Sequence, residues 1–297
     1  VDAKAPVVTN IKPDKEWYAR SETATVTLEA SDLGSGVEAS GVKVLVGGNE
    51  YPCSGSAPNF TCSGIPLTAA PSNAEGSLDF QVRATDQKGN VATASGELQV
   101  DDLGPRVKVA DDTGWKARSS TTTVTTEITD GSGVQSATLT VSGKPAVTGT
   151  KGEGNTWSFE AKWAELTADA YEGNVTFTVS ATDGVGNVGT GEGVRKVDGR
   201  APVIALDSVD YTGANDCSLP SGKCWLRDKS DLQVTASITD GGSGVDPGTV
   251  KLKAQPDYVA YGTFGGGKYN FTFDLSKPDF KKAEGEITFT VEASDKA

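Results

Sequence analysis

Hydrophobic and polar residues alternate strictly along several stretches of this chain. Leu78, Phe80, Val82 and Ala84 fall on one face of a run whose other face carries Asp79, Gln81 and Arg83. The pattern returns as Val175, Phe177, Val179, Ala181 and again as Ile287, Phe289, Val291, Ala293. Successive side chains of an extended chain point to opposite faces, so this period predicts antiparallel strands with one buried and one wet face. Shorter runs of the same kind, such as Val26, Leu28 and Ala30, precede glycine-rich turns. No segment carries a convincing helical period. About seven short strands per roughly 98 residues, separated by turn signals, predict an all-β chain of tandem immunoglobulin-like β-sandwich domains in an elongated array.

The alternating runs belong to a threefold internal repeat. Val1-Asp2-Ala3-Lys4-Ala5-Pro6 returns as Val100-Asp101-Asp102-Leu103-Gly104-Pro105 and as Val197-Asp198-Gly199-Arg200-Ala201-Pro202. Trp17, Trp115 and Trp225 each stand 15 residues before Asp32, Asp130 and Asp240, and Phe60, Trp157 and Tyr269 each stand 26 residues before Asp86, Asp183 and Asp295. Three units follow, at 1–100, 101–197 and 198–297. After Asp86 and Asp183 come Gly89-Asn90-Val91 and Gly186-Asn187-Val188 and a closing strand, whereas only Lys296 and Ala297 follow Asp295. The third sandwich is therefore expected to lack its last strand and to expose an edge. With no Met in the sequence, the chain is expected to be a segment of a longer protein with similar repeats on both sides.

Composition narrows the function. The formal net charge of −13 repels phosphate backbones and argues against nucleic-acid binding. No run of apolar residues is long enough to span a membrane. Cys53/Cys62 and Cys217/Cys224 are close pairs in Gly/Ser/Pro-rich loops, which predicts two local disulfides and an oxidising, extracellular compartment. Zinc would need a CxxC pair or a His, and the chain has neither. Without His there is no Ser-His-Asp triad, and the acidic clusters recur three times where an active site occurs once, so no enzyme is expected. A Trp held in every repeat is expected to be structural rather than a sugar platform.

Strand order in such a sandwich brings three loops to one pole: the linker, the turn after the second strand and the turn before the last. The acids expected to meet there are Asp2, Asp32 and Asp86; then Asp101, Asp130 and Asp183 with Asp102 adjacent; then Asp198, Asp240 and Asp295. Glu75 and Glu172 lie in turns at the facing pole of the preceding sandwich. Two readings account for these residues. Calcium, which takes 6–8 oxygen ligands, would tie domain to linker to domain. Alternatively each Asp caps its own turn and holds no metal.

The linker Val-Asp-x-x-Ala-Pro, the turn Ala-Thr-Asp-x-x-Gly-Asn and the loop Asp-x-Gly-Ser-Gly-Val together resemble the tandem bacterial Ig-like (BIg-type) repeats of large cell-surface adhesins. The resemblance implies secretion to the bacterial cell surface, a stalk that projects a distal head, and calcium at domain junctions. It implies neighbouring Ig-like domains as partners, and host, matrix or sibling-cell surfaces as partners of other parts of the protein. The competing functions are a carbohydrate- or matrix-binding accessory region of a secreted enzyme, and an assembly module whose open edge accepts a strand from another subunit.

Overall fold

The computed structural model describes residues 1–212, 231–254, 258–275 and 288–297. Cys217, Cys224, Trp225 and Ile287 lie outside the described residues. The described residues are almost entirely β, and their strands form three pairs of sheets.

The first pair is built from β1 (Val7–Pro13), β2 (Trp17–Ala19), β3 (Thr23–Ser31), β4 (Val37–Val46), β5 (Asn49–Pro52), β6 (Ser54–Ser56), β7 (Asn59–Pro66), β8 (Glu75–Asp86) and β9 (Val91–Asp101). One sheet runs β1-β3-β7-β6 and the other β2-β9-β8-β4-β5. The second pair repeats this plan. Its strands are β10 (Arg106–Val109), β11 (Trp115–Ala117), β12 (Thr121–Thr129), β13 (Val134–Thr140), β14 (Val147–Thr148), β15 (Thr150–Lys151), β16 (Thr156–Lys162), β17 (Glu172–Asp183) and β18 (Val188–Asp198), ordered β10-β12-β16-β15 and β11-β18-β17-β13-β14. The third comprises β19 (Val203–Thr212), β20 (Asp231–Thr239), β21 (Lys251–Ala254), β22 (Tyr258–Tyr261), β23 (Thr263–Gly265), β24 (Lys268–Asp274) and β25 (Phe289–Glu292), ordered β19-β20-β24-β23 and β22-β21-β25. Tandem immunoglobulin-like β-sandwiches are thus the fold.

By compactness the described residues divide into two units. One holds 1–110, 123–160 and 177–193; the other holds 111–122, 161–176 and 194–297. In the first unit, the alternating face of β8 supplies Phe80, Val82 and Ala84 to a core with Tyr18, Val26, Leu28, Phe60, Ile65 and Leu98. Tyr18 is fully buried, and its hydroxyl donates to Asp14 Oδ1 at 2.6 Å. Burial, reinforced by that hydrogen bond, pushes the phenol up to about 12. In the second unit, Leu232, Val234, Leu252, Tyr269, Phe271 and Phe273 form the core of the third sandwich.

Three features depart from the sequence reading. Cys53 and Cys62 are bonded as expected, but both are buried in the first core rather than held in an exposed loop. Trp17 and Trp115 open short strands, β2 and β11, which pair in parallel with β9 and β18. A four-residue helix, α1 (Trp163–Leu166), buries Trp163, whose indole Nε1 donates to Thr122 Oγ1 at 2.9 Å. No helix among the described residues is long and apolar enough to cross a membrane.

Candidate functional site

Asp101 and Asp198 end long strands, Asp2 precedes the first strand, and each meets acids from other parts of the chain. One carboxylate oxygen from each of Asp2, Asp32 and Asp86 lies within 4.8 Å of the others, and the same holds for Glu75, Asp101 and Asp130 and for Asp198, Asp240 and Asp295. Each cluster lies within one compact unit.

The first and third clusters are largely satisfied by backbone donors. Asp32 Oδ1 accepts from the amides of Gly34 and Gly36 at 2.9 and 3.0 Å, and Asp240 Oδ1 accepts from Gly242 and Gly244 at 3.2 and 2.7 Å. Asp2 Oδ2 accepts from Ser35 N at 2.7 Å, and Asp198 Oδ2 from Ser243 N at 2.8 Å. Asp86 Oδ1 takes the amides of Lys88 and Asn90, and Asp86 Oδ2 takes Asn90 Nδ2 at 2.7 Å. These are Asx-type turns. The donors from Lys4 and Ser35 hold Asp2 below the usual carboxylate range. Burial alone would raise Asp86 and Asp198, but their hydrogen-bond donors outweigh it and keep both low.

The middle cluster is different, and the cause is a loop one residue shorter. Where the other repeats read Asp-x-Gly-Ser-Gly, the middle one reads Asp130-Gly131-Ser132-Gly133. Among the described residues, Asp130 accepts only the Ser132 hydroxyl, at 2.9 Å. Asp101 Oδ1 accepts from Leu103 N at 2.9 Å, but Asp101 Oδ2 is buried with no hydrogen-bond partner. Asp183 Oδ1 takes the amides of Val185, Gly186 and Asn187, while Asp183 Oδ2 is also buried and unpartnered. Asp101 and Asp183 are both 0% exposed. Burial raises Asp130 above its usual range, and the charges of Asp101, Asp183 and Glu75 push it further. Glu75 reaches the cluster because Gly131 has no side chain; a Cβ there would run into its carboxylate.

Three of the expected acids fall outside these groupings: Asp183, whose charge still acts on Asp130, and Asp102 and Glu172. Asp102 turns back to the preceding sandwich, accepting from Asn73 N at 2.9 Å. The Glu172 carboxylate covers Gly241 beside Asp198, but Arg200 Nε stands 3.8 Å from it. The residue equivalent to Arg200 in the middle linker is Leu103, so that cluster has no such countercharge. The residues that position these acids were not legible as such. Arg20 donates to the carbonyls of Ala70 and Thr68, and Arg118 to those of Ala168 and Ala164, which fixes the turns that carry Glu75 and Glu172. Arg20 and Arg118 each follow a repeat Trp by three positions, which was the available signal.

Chemically, unpaired buried carboxylate oxygens carry a desolvation cost that a cation would offset. The all-oxygen donor set of Glu75, Asp101 and Asp130, with Asp183 behind it, suits a hard divalent ion. The signs of the shifts give a test. Asp130 is raised in the fold, so without a cation its contribution is lost as pH climbs from its ordinary range through the raised value. Asp2, Asp86 and Asp198 are lowered, and their contributions are lost as pH falls. Asp130→Asn is therefore expected to raise Tm at pH 7 in EDTA and to leave the acid limb intact, read by calorimetry from pH 3 to 8.

No protein-family model and no curated protein matches the chain. Among solved structures it is similar to part of a 1.5-MDa bacterial ice-binding adhesin, at 17% identity over 99% of this chain and 98% of that one, with a TM-score of 0.49. It is also similar to a three-domain segment of titin, at 12% identity, 99% and 95% coverage and a TM-score of 0.40. A tetra-tandem repeat from the extending region of a large adhesion protein is 18% identical over 99% and 74%, with a TM-score of 0.33. Similarities this distant carry no argument about what the chain does.

Proposed function

We propose that this chain is a non-catalytic spacer segment of an extracellular bacterial surface protein of the BIg-type adhesin kind, with calcium joining its sandwiches at the acidic linkers. The observation that carries the reading is Asp101. It lies in the linker, its Oδ2 is buried without a donor, and it meets Glu75 of the preceding sandwich and Asp130 of the following one. Glu75, Asp101, Asp130 and Asp183 would hold the ion. Calcium bound there supplies positive charge and shared coordination between domains. The protein residues do the rest: Arg20 fixes the turn bearing Glu75, and the Asn73 amide ties Asp102 to the same turn. The threefold repetition and the linker prolines Pro6, Pro105 and Pro202 support a role in length and stiffness rather than in chemistry. The remaining partners are then the neighbouring domains of the same protein.

Small-angle X-ray scattering tests the reading. Strands of about ten residues reach roughly 33 Å, so three sandwiches in series give a maximum dimension on the order of 100 Å or more in millimolar calcium. EDTA is expected to broaden the distance distribution as the junctions loosen. A compact particle would sink the spacer reading, and identical profiles in calcium and EDTA would sink the cation part.

A further inference from the structure

The two residues of the first disulfide have counterparts in the other sandwiches, and those counterparts form a pair of another kind. Cys53, Gly149 and Gly262 each donate a backbone N–H across to a carbonyl, that of Val42, Ala137 and Val250 respectively. Each stands where the chain leaves one sheet for the other, between β5 and β6, β14 and β15, and β22 and β23. Cys62, Phe159 and Phe271 each follow a repeat aromatic (Phe60, Trp157 or Tyr269) by two positions. All three are buried, at 0%, 0% and 1% exposure.

In the second and third sandwiches the phenyl ring reaches the glycine at the switch. A Cβ at Gly149 would stand 2.6 Å from the Phe159 ring, and one at Gly262 would stand 2.8 Å from the Phe271 ring. Ring and glycine therefore require each other. The first sandwich changes both members at once: the glycine gains a side chain, the ring is lost, and two bonded sulfurs fill the space. A mixed pair would leave either a hole or an overlap in a close-packed interior.

The second solution holds only while the bond exists. Two unbonded sulfurs keep van der Waals separation and so need more room than two bonded ones. Reduction overfills the site and also removes a cross-link between residues 9 positions apart. Cys53 is 7% exposed and Cys62 0%, so the strand switch is the side that yields.

We propose that Cys53–Cys62 is a redox gate on the first sandwich, which keeps its strand switch closed only while oxidised, whereas the Gly–Phe switches of the other two are indifferent to redox state. The gate confines a fully closed first sandwich to oxidising surroundings. Opening it takes two electrons and two protons: a dithiol attacks, the S–S bond breaks, two protein thiols form, and the dithiol closes to its own disulfide.

The test refolds the full 297-residue chain in dithiothreitol and compares its deuterium exchange with that of the oxidised chain, with thiols counted by alkylation and mass. Exchange over residues 42–66 is expected to be at least about tenfold faster in the reduced chain, and exchange over 137–162 unchanged. The double variant Cys53→Gly/Cys62→Phe, which installs the pair of the other sandwiches, is expected to exchange as slowly as the oxidised parent with or without dithiothreitol. Cys53→Gly alone is expected to exchange faster than the double variant in both conditions. Because the double variant retains Cys217 and Cys224, it separates their redox state from that of the first pair. Full protection of 42–66 in the reduced parent would overturn the proposal. So would a double variant no better protected than Cys53→Gly, or one whose exchange over 42–66 still responds to dithiothreitol.

Discussion

Phe177→Ala is expected to destabilise the second sandwich by about 3–5 kcal/mol, the cost of truncating a fully buried aromatic and leaving a cavity behind. Phe177 is 1% exposed, and its ring fills the space left by Gly193, with Val109 beyond. Relaxation into that cavity is limited because the strand on that side has no side chain with which to fill it. Phe289→Ala, at the same position of the third repeat, is expected to cost only about 1–2 kcal/mol, because its ring is only partly buried to begin with. The two variants are separable by calorimetry of the full chain, where each shifts its own transition. Equal losses would show that the closing strand contributes nothing to the burial of the ring.

Calcium at a thousandfold above its dissociation constant is expected to stabilise the chain by about 4 kcal/mol, and Asp101→Asn is expected to abolish that gain. The substitution keeps the shape of the side chain and the acceptor for Leu103 N, and removes the charge whose Oδ2 lacks a donor. In EDTA the same variant should be at least as stable as the parent, because it lessens repulsion among Glu75, Asp101, Asp130 and Asp183. Asp2→Asn provides the contrast. Its Oδ2 already accepts from Ser35 N, so the calcium response should survive it. Retention of the full response in Asp101→Asn would remove the middle junction as the binding site.

Long-range architecture was legible in the sequence because it rests on period and recurrence. Phe80, Val82 and Ala84 alternate and are buried together. Strand order led to the groupings of Asp2, Asp32 and Asp86 and of Asp198, Asp240 and Asp295, whereas in the middle repeat Glu75 stands with Asp101 and Asp130 where Asp183 was expected. Features three or four residues long were not legible. β2 and β11 are too short to show alternation, and their parallel pairing depends on strands some 80 residues away. α1 is a single turn, below the length at which a helical period can be seen. The acids were visible, but their state of satisfaction was not. Whether Asp101 Oδ2 has a donor goes with one missing residue before Ser132: the equivalent oxygens of Asp2 and Asp198 accept from Ser35 N and Ser243 N, and that of Asp101 accepts from no amide. The side-chain amides of Asn90 and Asn187 also escaped notice, although each follows its Asp by four positions. Asn90 donates to both Asp86 and the Asp2 carbonyl, and Asn187 to the Asp101 carbonyl.

The parallel pairing of β2 with β9, through Trp17, Tyr18 and Ala19 against Gln99, Val100 and Asp101, bears on how the first sandwich responds to tension. A pull applied through the two ends of the domain drags the first strands one way and the last strand the other. Parallel neighbours loaded in this manner slide along each other, so their hydrogen bonds share the force and must fail together. An antiparallel hairpin pulled at its open end would instead peel one bond at a time. The β11–β18 pair repeats this arrangement. Each of these sandwiches therefore carries a latch against stretching beside the very Asp that ends it.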